Sequence, residues 1–267
     1  MRIRARHITL AAFSLFLLVP LYWLVIMSFK TNTEITTQLT TFPQLFTLEH
    51  YSDIFTSHVW RAAFGNSLAY AIINVLITVP LAVVAAYGFS RYRFMGDKHL
   101  FFWLLTNLMS PPVVYIIPYF QLYHSLHLFD TVFAVAISDT LFTLPLTIWI
   151  LEGFMAGVPR EIDETAFLDG YSLPRFFLRI FIPLIGAGIG VAAFFAFMFS
   201  WIDVIVAQAL TTTHATPIST VMGTAHSSSG TDWGILAAAG TLTMIPGAII
   251  IWFVRNKIAS GFALGRV

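Results

Sequence analysis

Two carboxylates and a handful of hydroxyl groups stand in sequence that is otherwise apolar, and their chemistry needs an explanation. Asp139 lies about eight residues, roughly 12 Å of helix, into the apolar run 131–151, and Asp203 stands beside Trp201 toward the far end of the run 185–210. A charge inside a membrane span is costly, so such a group faces a cavity or a partner. Asn107, Ser110, Tyr115, Thr143 and Ser200 add hydrogen-bonding groups and an aromatic face in the neighbouring runs. Donors, acceptors and a ring are what a hydroxylated solute needs along its path. The same residues would also serve interhelical hydrogen bonds to a second chain packed against this one.

Bond-breaking chemistry lacks its parts. The chain has no cysteine, which removes a thiolate metal site, a cysteine nucleophile and a disulfide frame. Its eight histidines are scattered without ligand spacing, and His214 and His226 read as solvated side chains. There is no Gly-x-x-x-x-Gly-Lys-Ser/Thr phosphate loop and no cluster of His or carboxylates near one membrane face. The sequence predicts no catalytic residue, no metal site and no bound cofactor.

Five of the eleven remaining acidic residues fall in one polar break, 152–184. Pro159 suits the start of a helix, because its missing N–H would be unpaired there anyway. Glu161, Asp163 and Glu164 then place negative charge at the positive end of the helix dipole. Gly170 follows Asp169 where the helix must stop, and glycine supplies the left-handed conformation of a tight reversal. A short helix over about 159–169 follows. Ser172 can cap a second one, with Pro174 tolerated in its first turn. There Phe176, Phe177, Ile180 and Phe181 make an apolar face, Arg175 and Arg179 stack at i, i+4, and Pro183 ends the helix. By physics alone, this amphipathic pair could also lie on anionic headgroups.

These features sit among elements dictated by composition. With 58% hydrophobic and 10% charged residues and a mean hydropathy of +0.81, the 267-residue chain is too apolar for a soluble domain, whose charged fraction is about a quarter. A net charge of +1, with no basic cluster interleaved with aromatics, leaves no surface for nucleic acid. A span needs about 20 apolar residues, and six stretches free of Lys and Arg supply them, at 8–27, 66–90, 100–122, 131–151, 185–210 and 235–254. The first is too long for a signal-peptide core and ends without a small-x-small cleavage pattern, so it reads as an uncleaved span. Pro111, Pro112 and Pro118 should break the third, and broken helices in a membrane line a cavity or pack within protein. The expectation is an all-α integral membrane protein, a single transmembrane domain over 1–267 with six transmembrane helices.

Basic residues set the orientation, because Lys and Arg accumulate in short cytoplasmic segments. One side holds twelve of the fourteen, namely Arg2, Arg4, Arg6, Arg91, Arg93, Lys98, Arg160, Arg175, Arg179, Arg255, Lys257 and Arg266; only Lys30 and Arg61 lie opposite. Both termini and the loop 152–184 are therefore expected in the cytoplasm. The outer face receives a long first loop (28–65), a short one (123–130) and a polar third (211–234).

The loop resembles the cytoplasmic EAA loop of ABC-importer permease subunits, whose pattern is Glu-Ala-Ala-x-x-x-Gly, then nine residues, then Ile-x-x-Pro. Glu164, Ala166, Gly170, Ile180 and Pro183 match it, Asp169 and Phe177 match the fuller form, and Thr165 replaces the usual alanine. Further landmarks are similar to the carbohydrate-uptake branch, in particular its shorter maltose-type permease. They are Pro20-Leu21-Tyr22-Trp23, Ser28-Phe29-Lys30, Asn66-Ser67-Leu68, Ala85-Ala86-Tyr87 with Arg91, Ile117-Pro118, Asp232-Trp233-Gly234 and Ile245-Pro246. The resemblance covers nearly the whole chain. It implies a coupling helix seated in a cytoplasmic ATPase dimer that binds the ATP and magnesium, and a second homologous permease that shares the pathway. It also implies a periplasmic or extracytoplasmic solute-binding protein that meets the third outer loop. The tail Gly261-Phe262-Ala263-Leu264-Gly265-Arg266-Val267 departs from the branch, which leaves its contact with the ATPase open and points toward a polyol or glycerol subgroup. A self-sufficient ion-coupled carrier is the alternative, although no internal repeat is visible and the EAA pattern would have no use there.

Overall fold

The computed structural model describes residues 2–227 and 230–264, with side chains over 7–225 and 230–255. Among the described residues, four helices are long and apolar enough to cross a bilayer, α1 (Arg2–Met27), α4 (His58–Arg91), α7 (Val132–Ala156) and α14 (Trp233–Leu264). In lipid each backbone polar group needs a partner within the segment, so runs of this composition become helices. Pro20, Pro80, Pro145 and Pro246 lie inside these four without ending them. The shorter helices are α2 (Asn32–Thr37), α3 (Glu49–Thr56), α5 (Asp97–Thr106), α6 (Ile116–Ser125), α8 (Arg160–Leu168), α9 (Leu173–Phe176), α10 (Ile182–Leu184), α11 (Gly186–Trp201), α12 (Ile205–Leu210) and α13 (Ile218–Gly223). A two-stranded hairpin pairs β1 (His226–Ser227) with β2 (Gly230–Thr231).

The third apolar run is broken. The pair 97–109 and 112–125 bends by 92°, and the cause is local. Ser110 and Pro111 each precede a proline, which pushes both to extended backbone (ψ 125° and 127°) between short 3₁₀ turns. The run 185–210 is also divided. The helical segment 173–184 meets α11 at 77°, and α11 ends at Trp201, three residues before α12.

The chain forms two compact units. One comprises Met1–Ala63 and Thr220–Pro246, in which the segment after α1 folds upon itself. Thr47 N–H bonds to Phe29 O at 3.0 Å, Phe29 stacks on Phe46, and Glu34 accepts from the Thr40 hydroxyl at 2.6 Å and the Gln44 N–H at 3.1 Å. Lys30 is buried, its ammonium over the Trp23 ring and bonded to Thr40 O. One of the two basic residues counted against the charge rule is thus an internal strut.

The other unit, Phe64–Ser219 with Gly247–Val267, holds the candidate sites. In it α4 and α7 run parallel, since Tyr70 shares a core with Val135 while Arg91 reaches Met155 O. In contrast, α11 runs antiparallel to α7, with Gly188 against Phe154 and Ser200 against Asp139. A Cβ at Gly188 would lie 2.6 Å from Phe154 Cγ, so this approach requires glycine. One apolar core gathers Tyr87, Leu151, Met155, Ala166, Phe176 and Phe181; a second gathers Tyr70, Tyr123, Val135, Trp201 and Leu210.

Candidate functional site

The helix α8 is stopped by its own sequence. Pro159 takes the N-cap position, so the helix starts at Arg160, one residue later than expected, and Glu161 and Asp163 occupy the first turn. At the other end Gly170 adopts φ +81°. Its N–H bonds to Phe167 O at 3.1 Å, and the Tyr171 N–H reaches back to Ala166 O at 3.0 Å. These two bonds make the Schellman closure, which needs a left-handed residue after the C-cap. Ser172 sits at the next N-cap position, but its hydroxyl makes no capping bond. The second helix also differs from a single α-helix ending at Pro183. It is α9, then a π turn over Phe177–Phe181, then α10, which contains Pro183. Proline cannot donate four residues back, and the Ile182 N–H bonds to Phe177 O, five residues back, so the ladder widens there.

The residues of the EAA pattern divide into two groups. Glu164, Thr165, Asp169, Gly170 and Pro183 are exposed. Ala166 is buried, and Phe177 and Ile180 pack half-buried against the same core. The small side chain of Ala166 thus faces inward, and the outward face of α8 carries Glu164, Thr165 and Leu168, the last 88% exposed. Among the described residues Glu164 has no hydrogen-bond or ion-pair partner, whereas the Thr165 hydroxyl bonds to Glu161 O at 2.7 Å.

Sequence reasoning missed the group that holds this loop. Arg91, the last residue of α4, donates from Nε to Asp163 Oδ2 at 2.8 Å and from Nη2 to Asp163 Oδ1 at 3.3 Å. It also donates to Met155 O at 3.2 Å and Val158 O at 3.0 Å, and it faces the Phe181 ring at 5.0 Å. The two side chains are only 6% and 11% exposed. Tyr87, one turn earlier, meets Phe177 and Phe181 edge-on at 5.0 and 4.9 Å. The Ala85-Ala86-Tyr87…Arg91 landmark was the available signal; its partner lay 72 residues away.

Of the residues expected along a solute path, Ser110, Asp139, Thr143 and Asp203 line one cavity of about 180 Å³, walled by Leu108, Pro112, Phe142, Phe199 and Val206. Ser200 donates to Asp139 Oδ2 at 2.5 Å. Thr143 is tied to Asn74 of α4, which also bonds Ala136 O, so it serves helix packing as well. Asp203 accepts from the Ala207 N–H at 2.8 Å and the Val206 N–H at 3.4 Å, capping α12. Asn107 bonds back to Trp103 O, and Tyr115 stacks on Tyr119; neither lines this cavity.

The polar stretch 211–234 is anchored over its first half. Asp130 accepts from the N–H groups of Thr212, Thr213, His214 and Ala215 at 2.9–3.1 Å and from the Thr212 hydroxyl. Burial opposes its charge, but these backbone donors outweigh burial and hold the carboxyl well below the usual carboxylate range. Asn66 donates to His214 O and Thr216 O, and Ser67 accepts from the Ile218 N–H. The Asn66-Ser67 landmark is a pair of struts. Ser228 and Ser229 lie outside the described residues, as do the side chains of His226, Ser227 and the tail 261–267.

Residues 54–261 match the family described as Binding-protein-dependent transport system inner membrane component. The inner membrane ABC transporter permease protein YcjP of Escherichia coli (strain K12) is 30% identical over 262 residues, 97% of this chain and 94% of its own. The trehalose transport system permease protein SugB of Mycobacterium tuberculosis (strain CDC 1551 / Oshkosh) is 29% identical over 254 residues, 94% of this chain and 92% of its own. The fold is similar to a chain in the crystal structure of a bacterial ABC transporter involved in the import of the acidic polysaccharide alginate, with a TM-score of 0.76, 18% identity and 95% of each chain covered. With a family match over most of its length and a full-length relative at 30% identity, the chain belongs to the inner membrane components of binding-protein-dependent transport systems, as a permease subunit and not an enzyme.

Proposed function

We propose that this chain is one of two permease subunits of an ATP-driven importer for a sugar or polyol, coupled to a separate ATPase dimer through α8 and the Gly170 turn. The observation that carries this is the build of α8, fixed from within by Ala166 and Asp163 and presenting Glu164, Thr165 and Leu168 outward. A second homologous permease completes a heterodimer in the bacterial cytoplasmic (inner) membrane. ATP and magnesium bind the ATPases, this chain binds no cofactor, and an extracytoplasmic binding protein delivers the solute. Six crossings with cytoplasmic termini agree with the charge distribution. They also agree with the packing, because α4 and α7 are parallel and the segment between them must return across the bilayer despite its 92° bend.

In the pathway Ser110, Asp139 and Asp203 would meet solute hydroxyls, with Ser200 and Thr143 holding Asp139 and its helix. Asn107 and Tyr115 would contribute only where the partner permease completes the wall. Names of relatives that transport trehalose, diacetylchitobiose and alpha-glucosides support a sugar, and sulfoquinovosyl glycerol leaves room for a polyol such as glycerol. Purification from native membranes tests the proposal. An ATPase and a soluble binding protein should co-purify, and the binding protein should be stabilised against heat by a sugar or polyol. Purified chain that accumulates that solute on an ion gradient, with no ATPase, would identify a secondary carrier instead.

A further inference from the structure

We propose that Arg91 and Asp163 form a positioning lock that makes α4 move with α8; this rests on the coupling reading above. Connectivity ties α8 to α7 before it and to α10 and α11 after it. No short connection ties it to α4, whose last residue lies 72 positions upstream of Asp163. Arg91 supplies that tie.

Its guanidinium meets four segments at once. Two bonds go to the Asp163 carboxylate in α8, one to Met155 O near the end of α7, one to Val158 O in the intervening turn, and its face lies over Phe181 in the π turn that leads to α11. Among the described residues, other contacts between α4 and the loop include the Tyr87 ring contacts, the apolar core shared with Ala166, and a 3.3 Å bond from exposed Arg160 to Ser90 O. Apolar contacts are non-directional and permit sliding. A buried planar fork does not, because its donors match the carboxylate in one geometry. Breaking it leaves a charge with neither partner nor water. A partner that grips the outward face of α8 therefore displaces three crossing segments together, and the loop cannot absorb the stroke by swivelling.

The absence of cysteine makes this measurable. Spin labels at Val84→Cys on α4 and Glu161→Cys on α8, both exposed positions, report one distance in the full chain in nanodiscs. They report it again in the importer assembled with its co-purified partners, with and without ATP and vanadate. The native distance should be narrow and identical in all states. In Arg91→Lys, where a point charge replaces the fork, its width should grow about twofold, and ATP should change it; Asp163→Asn makes the same test if the arginine variant fails to insert. Native-like distances in both variants would overturn the lock, as would broadening that ignores nucleotide, which marks a purely structural role. A Glu161 label on the native chain that is indifferent to the ATPases would instead sink the coupling reading, while the nanodisc widths still judge the lock.

Discussion

Asp130 shows how much one side chain can organise. Its carboxylate gathers four backbone N–H groups and a hydroxyl from residues 82 to 85 positions downstream, turning a Thr-rich stretch into a fixed turn. Because its folded pKa is lowered, the unfolded chain binds more protons in acid, and the stabilisation is complete above the unfolded value of about 4. It is lost as pH falls from there through the folded value. Asp130→Asn should therefore cost about 1–2 kcal/mol at neutral pH, limited by partial exposure. Thermal melting of the two proteins should converge as pH drops below about 4; a gap that persists in acid would mean the loss is one of shape, not charge. Nothing near Asp130 in the sequence announces this role. Asp163 was equally opaque, since an acidic residue in a first turn satisfies the helix dipole whether or not an arginine waits across the fold.

At the scale of elements, local chemistry was legible and side-chain facing was not. The start of α8, its stop at Gly170 and the break at Ser110-Pro111-Pro112 depend on residues within a turn of one another. The inward face of α8 depends on α4, and nothing in 159–170 states that Ala166 is buried while Thr165 is exposed. A Cβ at Gly170 would meet no atom within 4 Å, so its requirement is purely the positive φ. Gly170→Val should strain the turn by about 1–2 kcal/mol and, if docking needs this turn, weaken ATPase binding to the nanodisc-held chain about five- to thirty-fold. Titration with unchanged affinity would separate the turn from docking. The π turn is a smaller surprise with a local cause, Pro183, whose effect on the preceding ladder was recognisable from its type.

For the whole molecule, charge asymmetry and packing direction make one prediction. Single cysteines at Thr213 and Leu168, both exposed, should react with a membrane-impermeant maleimide from opposite sides of the membrane, Thr213→Cys in intact cells and Leu168→Cys only in inverted vesicles. Labelling of both from one side would refute the six-span orientation. The sequence by itself determined the membrane class, the apolar runs, the reversal at Gly170 and the family, because composition, caps and motif order are properties of neighbours along the chain. Only the tertiary structure decided that Arg91 grips Asp163, that Ser200 bonds Asp139, that Asp139 and Asp203 line one cavity, that Thr143 is tied to Asn74, and that Lys30 is buried. Each of those depends on how separately formed segments settle in register against one another. Interhelical register is set by packing of whole faces, such as Gly188 against Phe154, and no run of adjacent residues carries it.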